Sequence, residues 1–166
     1  MSHMKSPIRP TDDDARSLAR DLLSSARFAA LAYIDKADGS PMVSRVALVA
    51  GPDGLPLSLM SDLSYHSAAL QHKPVCSLLI GEPKGKGDPL THPRLSLRAK
   101  ARFVRHGEAE HAGLANAFLA KQPKAKLYIG FADFALVQFT PLNAHLNGGF
   151  GKAYVLKADD LALAMR

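Results

Sequence analysis

Ser44-Arg45-Val46-Ala47-Leu48 lies in an apolar, strand-like run, and alternation puts Val43, Arg45, Ala47 and Val49 on one face. A guanidinium among apolar neighbours is costly unless it meets an anion or a carboxylate. Arg45 is therefore a candidate anion contact or one half of a rim salt bridge. Met60 to Ser67 (Met-Ser-Asp-Leu-Ser-Tyr-His-Ser) crosses from a strand end into a helix start. Orphan N–H groups and the hydroxyls of Ser61, Ser64 and Ser67 suit a phosphate at such a junction, although Ser64 also serves as a plain N-cap. Asn147-Gly148-Gly149-Phe150-Gly151-Lys152-Ala153 allows close backbone approach to a ligand, or a bulge in a bent strand. It is not a nucleotide P-loop, because Leu146 stands where that motif needs glycine and Ala153 where it needs Ser or Thr. Gly85-Lys86 fails the same test, with Ile80 and Gly87 at those positions.

Other chemistry has little apparatus. His66, His72, His92, His106, His111 and His145 form no i,i+4 pair and no HExxH or HxH grouping, so no metal site is expected. Cys76 sits in an apolar strand as an inert core thiol. No GxSxG is present, and no residue stands out as an obligatory acid or base.

These groups need elements to position them. Thr11, followed by Asp12, Asp13 and Asp14, predicts a capped helix start, and Ala15, Leu18, Ala19, Leu22, Leu23 and Ala26 recur at helical spacing behind it. Residues 28–34, 42–50, 56–60 and 75–80 predict short strands, with turns at Asp38-Gly39 and Gly51-Pro52-Asp53-Gly54. Ser64 to His72 predicts a short helix stopped by Pro74, and Gly81 to Pro93 a loop. Leu95, Leu97, Ala99, Ala101 and Phe103 alternate strictly with Ser96, Arg98, Lys100 and Arg102, giving a strand with one core face and one cationic, solvated face. Gly107 to Gln122 predicts a helix, and 132–139 and 145–156 predict the last two strands. Strands in mostly hairpin order with few, dispersed helices predict a mainly β (α+β) fold: a six-stranded antiparallel barrel with peripheral helices.

Composition bounds the rest. The chain has 166 residues, 47% hydrophobic, and suits one domain. Residues 1–10 are expected to be disordered, with Met1-Ser2-His3-Met4 resembling a cloning scar, and 11–166 to form the domain. No apolar run approaches the ~20 residues of a bilayer helix, and no signal peptide is visible. A single cysteine fits a reducing, cytoplasmic setting. Lys+Arg 21 against Asp+Glu 15 leaves +6, which favours an anionic partner. Seven cations and one anion fall between Lys84 and Arg105, but without interleaved aromatics they do not make a specific nucleic-acid groove. Arg94, directly after Pro93, is the member of that run placed to turn inward.

Taken in order, these segments resemble the pyridoxamine 5′-phosphate oxidase-like FMN-binding split-barrel superfamily, and within it the haem-utilisation group. The resemblance spans about residues 15–156 and is carried by Arg27-Phe28-Ala29-Ala30-Leu31-Ala32, Asp38-Gly39-Ser40-Pro41, Ser44-Arg45-Val46 and Leu63-Ser64-Tyr65-His66-Ser67. Asp88-Pro89-Leu90, Pro93-Arg94-Leu95-Ser96-Leu97, Phe131-Ala132-Asp133-Phe134 and Gly148-Gly149-Phe150-Gly151 complete it.

The resemblance implies a homodimer with FMN at the interface, and an oxidoreductase of unknown substrate. It implies cofactor contacts at Arg45, Val46, Ser61, Leu63, His66, Ser67, Arg94 and Phe150. His66-Ser67 stand where the vitamin B6 oxidase carries an Arg-Lys pair, and Arg94 where it has a glutamine. The absence of Trp argues against that oxidase's own reaction. The alternatives are a haem-binding or haem-degrading protein, with His145 and Gly148–Gly151 as contacts, and a non-catalytic flavin module.

Overall fold

A computed structural model describes residues 6–164. The leading helix α1 (Asp13–Ser25) is capped by Asp12, whose carboxylate accepts the Ala15 N–H at 2.8 Å. Thr11, the expected cap, instead donates its hydroxyl to the Val155 carbonyl at 3.0 Å and ties the helix to a distant strand. Ala15, Ala19 and Leu23 form the buried stripe that the spacing predicts.

The strands are β1 (Ile8–Arg9), β2 (Phe28–Ile34), β3 (Pro41–Ala47), β4 (Val49–Ala50), β5 (Pro56–Ser61), β6 (Val75–Ile80), β7 (Arg94–Val104), β8 (Phe134–Asn147) and β9 (Ala153–Lys157). Between them lie helices α2 (Tyr65–His72) and α3 (His111–Lys121), and α4 (Ala158–Ala164) follows β9. The pairing runs β3-β2-β6-β7-β8-β5-β4. β3 and β4 are one rib of the barrel, interrupted at fully buried Leu48, whose N–H turns aside to the Arg27 carbonyl at 3.0 Å. The six expected ribs are therefore present, and the ring holds because one strand serves two edges. β3 and β5 do not pair with each other, so the barrel is split between them.

Two expectations change. The stretch read as strands 132–139 and 145–156 does hold two strands, but the 14-residue β8 runs unbroken through 140–144 and the break before β9 falls at 148–152. β8 carries Pro141 where its register against β7 shifts, so the missing N–H is absorbed at an irregularity. The glycine cluster is then a turn rather than a bend within a strand. Gly149 and Gly151 have φ of 113° and 70°, and the Gly148 N–H closes on the Lys152 carbonyl at 2.7 Å. The other change is at the N-terminus. Residues 1–5 lie outside the described chain, but Ile8–Arg9 is an ordered strand, parallel to Ala153–Tyr154, and all other pairings are antiparallel.

α3 begins at His111, four residues later than expected, because Gly107 (φ 91°) belongs to a preceding turn. The main core combines α1 with Leu31, Leu48, Leu78, Leu97 and Phe139. A second cluster lies under α3, where Phe118 and Leu114 meet Leu57, Leu136, Ala125 and Ile129. On β7 the alternation holds through Ala101: Leu95, Leu97 and Ala99 are fully buried, and Ser96, Arg98, Lys100 and Arg102 are exposed.

Candidate functional site

The buried strand β5 delivers the chain to Ser61, and extended Ser64 (φ −79°, ψ 139°) starts α2. The Ser64 side chain makes no cap bond, so the first turn of α2 leaves donors free. Ser61 donates its hydroxyl to Asp133 Oδ2 at 2.5 Å and accepts the Leu63 N–H at 3.1 Å. Asp62 is clasped by both Arg105 guanidinium nitrogens at 2.7 and 2.9 Å, and Gln71 donates to it at 3.0 Å. The Arg105 hydrogen bonds are the largest cause holding the Asp62 carboxyl below its usual range. Arg105, committed here, is not available to a ligand.

Arg45 differs from its expected setting. The face it shares with Val43 is the outward one, with Val43 65% exposed, and Val46 is the residue that faces the core. The Arg45 guanidinium therefore carries no burial cost and pairs with no described carboxylate; it lies 5.6 Å over the Phe28 ring. His66 is half-buried, and loss of solvent lowers its pKa, which favours the neutral imidazole. Tyr33 meets its ring edge-on at 6.3 Å.

These groups border one concavity of about 350 Å³ in the split between β3 and β5. Arg45, Val46 and Ala47 supply one wall, Leu59, Met60 and Ser61 another, and Ser64 and His66 the helix end. Tyr128 and Phe134, with ring centroids 5.1 Å apart, form an aromatic wall, extended by Phe131 at 6.3 Å from Phe134. Of the residues picked from the sequence, the structure brings together Arg45, Val46, Ser61 and His66.

The other four lie elsewhere. Leu63 is 88% exposed beside the site, and Ser67 is fully buried behind it, its hydroxyl without a partner among the described residues. Arg94 donates to the Leu90 and His92 carbonyls at 2.9 and 3.3 Å and borders a separate hollow with Ser96 and His145. Phe150, 97% exposed, caps the β8–β9 turn. The aromatic wall was missed. Its signal was Tyr128, Phe131 and Phe134, three of the chain's eleven aromatic residues within seven positions.

Among the described residues no group of three or more His, Cys, Asp or Glu side chains could hold a metal ion. The Cys76 thiol donates to the Ala99 carbonyl at 3.7 Å, and burial pushes its pKa up to about 12, so it offers no thiolate. No described helix is long and apolar enough to cross a membrane.

The family described as "CREG, beta-barrel" matches residues 10–161. The chain belongs to that family. This CREG β-barrel chain is thus one of the FMN-binding split barrels, as its ordered motifs implied. It is 32% identical over 124 residues to the non-canonical haem oxygenase HOZ, chloroplastic, of Arabidopsis thaliana, covering 74% of this chain and 36% of that protein. The structure of a haem-binding protein from Mycobacterium smegmatis superposes with a TM-score of 0.81 at 28% identity, over 94% of this chain and 62% of that one. Protein Atu2129 of Agrobacterium tumefaciens, of unknown function, gives 0.77 at 32%, over 93% and 63%. The CREG β-barrel chain therefore spans about a third of the plant protein and less than two thirds of each of these bacterial chains.

Proposed function

We propose that the chain binds haem in the concavity between β3 and β5 and does so as a homodimer. The observation that carries this reading is the mixed lining of the site. The Arg45 cation, free of any described carboxylate, and the His66 imidazole, without a hydrogen-bond partner among the described residues, line it together with the aromatic wall of Tyr128 and Phe134. Haem asks for that combination, since a flat apolar macrocycle must be covered while its propionates reach a cation. The 32% identity to a haem oxygenase and the 28% identity to a haem-binding protein support the same choice.

The sheet's outer face supports the dimer. Register lines up Arg45, Ala30, Leu79, Ser96, His145 and Val155 in one row across β3, β2, β6, β7, β8 and β9. Val43, Val75 and Leu79 on that face are 65%, 44% and 46% exposed in one protomer, an apolar area that a second copy would cover. A two-fold axis along the strands reverses the row, so that Arg45 meets the end holding His145 and Arg94 of the partner subunit. An axis across the strands sets Arg45 against Arg45, which like charge disfavours. The reversed stacking completes an open site and adds a second cation for a second carboxylate.

Titration of hemin into the purified protein is expected to give a saturable Soret band. Arg45→Ala is expected to weaken binding by about 1.5–3 kcal/mol, roughly 10- to 150-fold, the worth of a charged hydrogen bond. A protein that leaves the hemin spectrum unchanged overturns the reading. FMN is the second reading, favoured by the uncapped first turn of α2 beside the Ser64 hydroxyl, where a phosphate would sit. In that case the same preparation takes up FMN, with the flavin's absorption, and ignores hemin. Redox turnover of either cofactor would need a reductant and is tested separately, by adding one to the loaded protein.

A further inference from the structure

Resting on the haem reading, we infer that His66 is the side chain that ligates the haem iron, through a ring nitrogen directed into the concavity between β3 and β5.

The other described histidines are engaged or placed elsewhere. His92 has both ring nitrogens engaged, one accepting the Lys84 N–H at 3.1 Å and the other 2.9 Å from the Lys86 carbonyl. His106 is held at the Phe131 carbonyl (3.2 Å) and stacks on His111, centroids 4.3 Å apart, while the Nε2 of His111 is sealed from solvent. His72, in the last turn of α2, borders a different hollow with Lys36, Asp62 and Gln71. Within one protomer His145 borders the separate hollow of Arg94 and Ser96, and only the partner's His145 would come near Arg45, which makes it the competitor that the test below includes. Among the described residues, His66 alone combines a ring without a hydrogen-bond partner and a place in the wall shared by Arg45, Tyr128 and Phe134.

Its chemistry suits the task. An iron ligand must present a lone pair, and neither ring nitrogen of His66 is taken up by a hydrogen bond to a described residue. The ring is also held in place. It is carried on α2, a turn behind fully buried Leu70, and Tyr33, only 4% exposed, meets its edge. A buried abutment restricts rotation of the ring without consuming either nitrogen, whereas a hydrogen-bonded neighbour would consume one. The competing donors are weaker. Cys76 is a protonated thiol outside this wall, and Met60, which lines it, is 2% exposed. Tyr128 is the remaining side chain in the wall whose oxygen ligates iron, and a phenolate gives a different spectrum from an imidazole.

The test compares ferric and ferrous spectra of hemin-loaded wild type, His66→Ala, His66→Gln and His145→Ala, with haem content measured independently. Wild type is expected to show nitrogen-ligated iron by electron paramagnetic resonance, with an iron–imidazole vibration that shifts on 15N-histidine labelling. His66→Ala and His66→Gln are expected to retain haem through Arg45 and the aromatic wall but to lose both signals, and free imidazole is expected to restore them in His66→Ala. His145→Ala, which removes the competing imidazole that the reversed dimer brings to the site, is expected to keep both signals whatever it does to haem affinity. Haem-loaded His66 variants with wild-type signals, or their loss in His145→Ala alone, overturn the assignment and leave the haem reading standing. Failure of wild type to take up hemin removes both.

Discussion

At the scale of single residues, side chains with similar sequence prospects meet different fates. Arg45 and Arg105 are both cations near the start of α2, but Arg105 is spent on Asp62 and Arg45 is not. The sequence placed Arg45 on the strand correctly and its face wrongly: alternation gives which residues share a side, but not which side meets solvent. His111 carries a pH consequence. Burial first, then neighbouring His106, lowers its pKa, with Glu108 opposing. Its folded-state value thus lies below that of the unfolded chain, so the unfolded chain binds the extra proton as pH falls. Stability is intact above the ordinary value of about 6.5 and declines as pH drops below it. His111→Asn is expected to flatten that acid limb in thermal melts recorded across pH. Because His66 shifts in the same direction, some slope remains; an unchanged limb would remove His111 from the account.

At the scale of elements, the aromatic wall depends on α3. The short 3-10 turn Pro123–Leu127 follows that helix, and Ala125 and Ile129 pack into the same cluster as Phe118 and Leu114. Phe118 is 1% exposed, so Phe118→Ala is expected to cost about 3–5 kcal/mol in urea unfolding. In the fraction that stays folded, hemin affinity is expected to fall as well, since Tyr128 is positioned through that packing. A loss of stability with wild-type affinity would separate the wall from its support. This dependence also explains what the sequence concealed. β7 was legible because its alternation is local and strict, and α1 because its stripe and caps are. Tyr128 and Phe134 were not, since no periodicity links residues whose meeting depends on how a distant helix seats. β8 was misdivided because Pro141 and the polar residues around it look like a turn until β7 is seen running alongside.

For the whole molecule, the outer face of the sheet sets what one protomer lacks. Leu79 lies near the middle of the registered row, between Ala30 and Ser96. Leu79→Glu would place two carboxylates close together in a face-to-face pair, and is expected to give a monomer by sedimentation with weakened hemin binding. A dimer that persists in this variant would place the interface elsewhere. The cationic ladder contributes to the same surface. Arg98 and Lys100 form no ion pair with a described residue, whereas Arg102 reaches Glu108 and Glu110 at 3.6 and 3.1 Å. Part of the net charge is therefore neutralised within the chain, and the remainder flanks the apolar row.

The split between β3 and β5 has a cost that a closed barrel avoids. Beyond the short β4–β5 pairing each strand lacks a partner along that seam, and unpaired strand edges are where other chains dock and deposits begin. A ligand lodged in the seam would act as a keystone, shielding the gap while it stays bound. An empty protein would be the form exposed to misassembly and to proteolysis. On this view the abundance of the protein in a cell would follow the supply of its ligand, whether or not the protein carries out any reaction on it.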